Sequence, residues 1–189
     1  FAILTAVDRV LHRWDAVESA EGKSWRRSIG FFGHLDRIWA AAYSADGTVI
    51  ASGGEDGAVR IWDAASGAER ARLTAHEGAV YSVAFAPNGA WCASAGFDRR
   101  VLLWDMAGVG RNRRSGDQAI REIQEFRAGN AAIADFLALE GHSASIRSLA
   151  FSQASDVLVS AGQDNTAIVW KIDGQLRPSD EQTRESRLR

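Results

Sequence analysis

Four residue types return along this chain at fixed distances from one another. A serine follows His34 after eighteen residues, an aspartate after twenty-two and a tryptophan after twenty-eight, and the same distances recur from His76 and from His142. The three sets are His34, Ser52, Asp56 and Trp62; His76, Ser94, Asp98 and Trp104; and His142, Ser160, Asp164 and Trp170. Such recurrence predicts a repeated structural unit, because a reactive centre needs its residues only once.

An incomplete copy precedes the first full set. Asp8 stands six residues before Trp14, the distance that also separates Asp56 from Trp62. Leu4 falls where the spacing would place the serine, and no histidine precedes it. We therefore expect a unit of the same kind near the start of the chain, without the serine and histidine of the other three.

Serine, histidine and aspartate are also the residue types of a catalytic triad. A triad must present its nucleophile to a substrate beside an oxyanion hole, and it has no reason to occur in three copies. The sequence therefore predicts structural roles for these sets and no catalytic residues.

The segments between these residues predict short β-strands. In the middle copy, "VYSVAFAPNG" is a strand that ends in a Pro-Asn-Gly turn, and "AWCASAG" and "RVLLWD" are two more, each five to seven residues long. A fourth strand follows each Trp-Asp pair, as in "ERARLTAH" and "SIGFFGH". Four short antiparallel strands that recur about every 40 residues predict an all-β protein built from the blades of a β-propeller.

These motifs resemble the WD-repeat family, in "GH…D…WD" at 33–63, "AH…D…WD" at 75–105 and "GH…D…WK" at 141–171. The resemblance implies that the four residues of each set form a hydrogen-bonded tetrad within a blade. It also implies a propeller portion at 1–173, with a partial blade at 1–33, blades at 34–75, 76–141 and 142–173, and no outer strand in the last. About three and a half blades do not close a ring. We therefore expect the C-terminal part of a larger propeller, completed by the rest of a longer chain or by self-association.

Two connections are longer than the others. Twenty residues separate Trp14 from His34 and thirty-eight separate Trp104 from His142, against fourteen between Trp62 and His76. The longer one contains an insertion at 107–131, in which Ser115 and Gln118 form a capping box and three apolar residues lie near one helical stripe, namely Ile120, Ile123 and Phe126. We expect a short helix there, docked on its own blade, and a disordered polar tail at 174–189.

Composition limits the classes of binding partner and the cellular compartment that we expect for this chain. The formal net charge is −2 and the pI is near 6.1, so no strongly basic surface predicts binding to nucleic acid or to an anionic membrane. The single cysteine, Cys92, lies in an apolar run and predicts an inert buried thiol in a reducing, cytoplasmic compartment. The four histidines form no metal-ligand pattern, and His12 is expected to be a packed or edge side chain. We expect no metal and no cofactor.

Function is expected at the loops between blades. In the family that the sequence resembles, partner-binding residues tend to lie three and five places after the blade histidine and one place before the blade aspartate. Here those places hold Arg37, Trp39 and Glu55; Ala79, Tyr81 and Phe97; and Ser145, Arg147 and Gln163. Tryptophan, tyrosine, phenylalanine and arginine are enriched at interface centres, although each aromatic ring could instead pack against a neighbouring blade.

These observations favour a non-enzymatic scaffold that binds a protein or peptide on the loop face of the propeller. An alternative stays open, in which the chain is the sensor or targeting module of a larger protein whose N-terminal region carries a protease, kinase or nucleotide hydrolase. Two lysines against twenty arginines indicate a GC-rich bacterial source, an origin compatible with such fusions.

Overall fold

A computed structural model describes residues 2–20, 22–107, 109 and 136–172. Within these ranges the secondary structure consists of fourteen β-strands in four antiparallel sheets. The first sheet contains β1 (Ala2–Val7), β2 (Val10–Ser19) and β3 (Gly22–Phe32); the second contains β4 (Ile38–Tyr43), β5 (Val49–Gly54), β6 (Ala58–Asp63) and β7 (Glu69–Thr74). The third contains β8 (Val80–Phe85), β9 (Trp91–Gly96), β10 (Arg100–Asp105) and β11 (Phe136–Glu140); the fourth contains β12 (Ile146–Phe151), β13 (Val157–Gly162) and β14 (Ala167–Lys171).

Each sheet is a meander in which consecutive strands pair, and the sheets pack face to face in chain order. The first strands of the last three sheets, β4, β8 and β12, lie side by side, and β1 contacts β4. The predicted all-β propeller architecture is therefore confirmed. Among the described residues, the four sheets do not close into a ring.

Each interface between sheets is an apolar core that contains a repeat tryptophan. Trp62 packs with Leu11 and Phe31 of the first sheet, and its ring meets that of Phe31 edge to face at 5.8 Å. Trp104 occupies the same place between the second and third sheets, and Trp170 between the third and fourth. The repeat tryptophan thus always faces the preceding sheet, because alternate residues of a strand point to opposite faces.

The first sheet differs from the expectation of short strands. Strand β2 has ten residues and β3 has eleven, against the five to seven expected. Their pairing continues past the blade through Ala16 with Trp25 and Glu18 with Lys23, and an ion pair of 3.3 Å joins the last two. Much of the long interval between Trp14 and His34 is therefore paired strand and not loop, because the two segments satisfy each other's backbone groups.

Two other expectations fall on parts of the chain that the structure does not describe. The helix predicted around 115–126 and the tail at 174–189 both lie outside the described residues. In the part that is described, no helix has the length and apolar character needed to cross a membrane.

Candidate functional site

The four residues of the second sheet's set form a chain of hydrogen bonds. His34 Nδ1 lies 3.0 Å from Asp56 Oδ1, and His34 Nε2 lies 2.8 Å from Ser52 Oγ. Trp62 donates its indole N–H to the same Ser52 Oγ at 2.8 Å. The Asp56 carboxylate also accepts the backbone N–H of Leu35 at 2.9 Å, so the set joins strands β5 and β6 to the loop before β4.

The third and fourth sheets repeat this arrangement. The His76 and His142 Nδ1 atoms lie 2.9 Å and 2.8 Å from the carboxylates of Asp98 and Asp164. Their Nε2 atoms lie 2.7 Å and 2.8 Å from Ser94 Oγ and Ser160 Oγ, and the indoles of Trp104 and Trp170 each donate to that serine at 2.8 Å. The structure thus brings together all twelve residues whose spacing is conserved between the three copies of the repeat.

Burial and hydrogen bonding shift the pKa values of His34 and Asp98. Burial lowers the pKa of His34 despite the nearby Asp56, so this imidazole is neutral near pH 7. Burial raises the pKa of Asp98, but hydrogen bonds from His76 and from the backbone N–H groups of Glu77 and Arg100 outweigh that effect and hold it at about 2. A neutral imidazole can donate from Nδ1 to the carboxylate while its Nε2 accepts the serine hydroxyl.

The same geometry removes the serines from catalysis. Ser52, Ser94 and Ser160 each have 0% of their surface exposed, and each hydroxyl already contacts both an imidazole and an indole. A buried hydroxyl with both neighbours in place cannot meet a substrate, whereas a nucleophile must be accessible. Within the described residues, no group of three or more His, Cys, Asp or Glu side chains could hold a metal ion.

In the first sheet, Thr5 and not Leu4 occupies the position of the serine. The indole of Trp14 donates to Thr5 Oγ1 at 2.8 Å, and Leu4 instead packs into the core with Leu11. Thr5 pairs with His12 across the ladder, and Ser52 pairs with Arg60. His12 and Arg60 each stand two residues before the tryptophan of their sheet, so Thr5 occupies the position of Ser52. The connection between β1 and β2 is one residue shorter than its counterpart, so a fixed sequence offset points to the residue before the correct one. His12 itself is half-buried on β2, as a packed side chain would be.

Three β-bulges define the face that carries the predicted partner-binding residues. The ladder register shifts between Ile38 and Ala40 on β4, between Val80 and Ser82 on β8, and between Ile146 and Ser148 on β12. The residues left unpaired are Trp39, Tyr81 and Arg147. A bulge turns the side chain of its extra residue out of the regular alternation, so each inner strand presents one side chain at the same end of the sheet.

Backbone hydrogen bonds bring the other predicted positions to the same end. Glu55 N donates to Arg37 O at 2.7 Å, Phe97 N to Ala79 O at 2.8 Å, and Gln163 N to Ser145 O at 2.8 Å. In the second, third and fourth sheets, the residue before the aspartate is therefore hydrogen-bonded to the residue three places after the histidine. Gly96 makes this contact possible in the third sheet, because a Cβ on it would lie 1.9 Å from Ala79 O.

Four of these side chains form a continuous row, which we call the rim row: Arg37, Trp39, Tyr81 and Arg147. The Arg37 guanidinium lies 5.2 Å from the centre of the Trp39 ring, and the Trp39 and Tyr81 rings meet edge to face at 5.9 Å. The Arg147 guanidinium lies 3.9 Å from the centre of the Tyr81 ring. Glu55 accepts the indole N–H of Trp39 and so fixes that ring. The row crosses the boundaries between the second, third and fourth sheets.

The two remaining predicted residues line a groove beside the rim row. Phe97 and Gln163 border this groove between the third and fourth sheets, and Phe97 is 59% exposed. Sequence reasoning missed Glu77, Arg99 and Ala144, which also line it. A signal for Arg99 was available, since it directly follows the aspartate of the third set. The predicted residues thus occupy one face, divided between a stacked row and an open groove.

Two buried side chains outside this face, Cys92 and Arg60, carry groups that could in principle react or bind. Cys92 is fully buried, and burial raises the pKa of its thiol to about 12, which makes it a poor nucleophile. Arg60 is also buried, and it pairs with Glu69 beneath the Trp62 ring.

Comparison with known proteins gives matches of two kinds. The family model described as "WD domain, G-beta repeat" matches residues 26–63, 67–105 and 136–171, which together make up more than half of the chain. A stretch of 46 residues is 50% identical to the Periodic tryptophan protein 2 homolog of Dictyostelium discoideum, and it covers 24% of this chain and 5% of that protein. The chain therefore spans only a small part of the length of this relative.

Proposed function

Because this chain belongs to the WD40-repeat family, whose repeats generally mediate protein–protein interaction, we propose that it is a non-enzymatic module that binds a protein or peptide through the rim row. One observation carries the proposal: three bulges on three neighbouring inner strands turn Trp39, Tyr81 and Arg147 toward the same face, where they touch one another. The recurrence of the bulge belongs to the repeat itself; what favours binding is that bulges re-aim side chains, and here they bring large side chains together on one face.

The exposure of the row supports binding. Trp39 keeps 44% of its surface exposed although it contacts Tyr81, Arg37 and Arg147 are both exposed, and Tyr81 is half-buried between them. Rings that served only to pack neighbouring sheets would be covered, as Trp62 and Trp104 are. Large aromatic side chains and arginines at such positions supply most of the binding energy in protein interfaces.

The tetrads contribute rigidity to this face. Each aspartate binds the histidine side chain and also accepts the backbone N–H of the residue that follows that histidine. Asp164, for example, binds His142 and the N–H of Ser143. The loops that lead into β4, β8 and β12 are thereby held before any partner arrives. A site that is already ordered loses less conformational entropy on binding, so the same contacts give a higher affinity.

Selection of peptides from a random phage-displayed library on the full chain tests this function. We expect Tyr81→Ala and Arg147→Ala each to weaken binding of the selected peptides by about 1 to 4 kcal/mol while the melting temperature stays almost unchanged. Trp25→Ala is the matched control, because Trp25 is 48% exposed, close to the value for Trp39, but lies on the β2–β3 extension at the other end of the sheet.

Two outcomes would contradict the proposal. Peptides that bind the wild-type chain and both rim variants equally well would exclude the rim row as the site. Binding that survives alanine at Trp39, Tyr81, Phe97 and Arg147 but is lost on deletion of 107–131 would move the site to that insertion.

A further inference from the structure

We propose that the rim row recognises a peptide segment that carries acidic side chains on both sides of an apolar one. This inference rests on the proposed function and adds the chemistry of the partner. It follows from the order of contacts in the row, in which an arginine stands at each end of an aromatic pair.

The two arginines are held in place but lack an ionic partner. The Arg147 guanidinium lies over the Tyr81 ring, 3.9 Å from its centre, and the Arg37 guanidinium lies over the Trp39 ring at 5.2 Å. Within the described chain, neither guanidinium has a carboxylate within ion-pairing distance, whereas four other arginines do, namely Arg13, Arg60, Arg70 and Arg100. Stacking uses the face of a guanidinium and leaves its N–H donors, which lie in the plane, available for an oxyanion.

A cationic ligand fits this row poorly. Exposed aromatic rings attract cations, but each ring of the row already has an arginine over it, Arg147 at Tyr81 and Arg37 at Trp39. The nearby Glu55 carboxylate accepts the Trp39 indole N–H, so it is already engaged as well. A lysine side chain would have to displace an arginine, whereas a carboxylate can bind the free edge of either guanidinium.

The two ends of the row are not equivalent. Asp36 and Glu55 lie at the Arg37 end, where Asp36 accepts the backbone N–H of Arg37 at 2.7 Å. These negative charges weaken an anion site at that end. At the other end, the Arg147 guanidinium lies closer to its ring than Arg37 does, and the Glu77 carboxylate in the groove lies 3.7 Å from Arg100. We therefore assign the stronger carboxylate contact to Arg147.

The test uses short fluorescent peptides with a Glu-Leu-Glu centre between glycine and serine residues, titrated against the full chain. Matched peptides replace both glutamates by glutamine, by lysine or by phosphoserine. We expect the glutamate peptide to bind about tenfold or more tightly than the glutamine peptide, which corresponds to a charge-assisted hydrogen bond. Its affinity should fall as salt is raised, because both partners are solvent-accessible.

Variants identify the arginine that makes the contact. Arg147→Gln should abolish most of the preference for glutamate over glutamine, and Arg37→Gln should reduce it less. Arg147→Lys should restore only part of it, because lysine lacks the planar fork. Arg72→Gln is the control, since Arg72 is an exposed arginine on the outer strand β7 and should leave the preference unchanged.

Four results would overturn the inference. They are equal binding of the glutamate and glutamine peptides, tighter binding of the lysine peptide, binding of the phosphoserine peptide alone, and a glutamate preference that survives Arg147→Gln. Library peptides that depend on Tyr81 but carry no acidic residues would leave the proposed function standing while this inference fails. Library peptides that bind the Tyr81→Ala variant as tightly as the wild-type chain would contradict both the proposed function and this inference.

Discussion

Trp14 in the first sheet and Trp62 in the second both donate an indole N–H to a hydroxyl at 2.8 Å. Around Trp62 the bond is buried, and the same Ser52 hydroxyl continues to His34 and from there to Asp56. Around Trp14 the bond is exposed and reaches only Thr5. The indole–hydroxyl contact therefore needs no more than the pairing of two neighbouring strands.

The full tetrad requires more of the chain. Its histidine lies on the loop that leads into the inner strand, and its aspartate lies in the turn between the next two strands. The His–Asp hydrogen bond therefore joins that loop to that turn. In the second, third and fourth sheets, this loop is followed by a strand with a bulge. The described first sheet has three strands and begins at the counterpart of β5. In the second, third and fourth sheets, the tetrad, the inner strand and the rim residue thus occur together in one structural unit of loop and strand.

The largest expected difference in the free energy of unfolding is at the close contact between the inner strand β8 and its neighbour β9. Gly96→Ala would place a Cβ 1.9 Å from Ala79 O, a backbone atom, so we expect a loss of about 3 kcal/mol or more. The first-sheet position with the same register is Val7, which is 59% exposed, and Val7→Ala should cost less than about 1 kcal/mol. Chemical denaturation measures both. A wild-type midpoint for Gly96→Ala would show that β8 does not approach β9 this closely.

A second contrast concerns the hydroxyls. Ser94→Ala leaves the Trp104 indole and the His76 Nε2 without their partner in a buried place, and should lower the free energy of unfolding by about 2 to 3 kcal/mol. Thr5→Ala removes one exposed bond to Trp14 and should cost at most about 1 kcal/mol. Equal losses in denaturant would mean that the tetrad adds nothing to the indole–hydroxyl contact.

The third contrast concerns the aspartates and depends on pH. The depressed pKa of Asp98, about 2, means that its contribution is fully present above the unfolded value near 4 and is lost as pH falls toward 2. Asp98→Asn should therefore cost about 1 to 3 kcal/mol at pH 7, and its deficit against the wild type should shrink between pH 4 and pH 2.

Asp8→Asn is the first-sheet counterpart of that variant. Asp8 has a φ of 50°, and asparagine tolerates this conformation, so the change should cost less than about 0.5 kcal/mol. Unfolding curves over this pH range would settle the contrast. A deficit for Asp98→Asn that stays constant with pH would contradict the bonded carboxylate.

Local patterns were sufficient for most of the fold. Alternating apolar residues, turn residues and the recurring His, Ser, Asp and Trp spacing predicted four antiparallel units and their order. These signals are local because each strand and turn is shaped by a few neighbouring residues. The same spacing was wrong at Leu4, where a turn one residue shorter gives the hydroxyl position to Thr5. Cross-strand register, which a fixed offset cannot follow, decides that contact.

The sequence by itself determined which residues recur and therefore which positions stand at the ends of the inner strands. Only the tertiary structure decided what those residues do together. It revealed the bulges at Trp39, Tyr81 and Arg147, the arginines that lie over the rings at both ends of the aromatic pair, and the long β2–β3 pairing. These features depend on how three separate strands lie side by side. Tyr81 contacts Trp39 and Arg147, which lie 42 and 66 positions away. The repeat spacing places all three residues five positions after a blade histidine, but it does not show that their side chains meet.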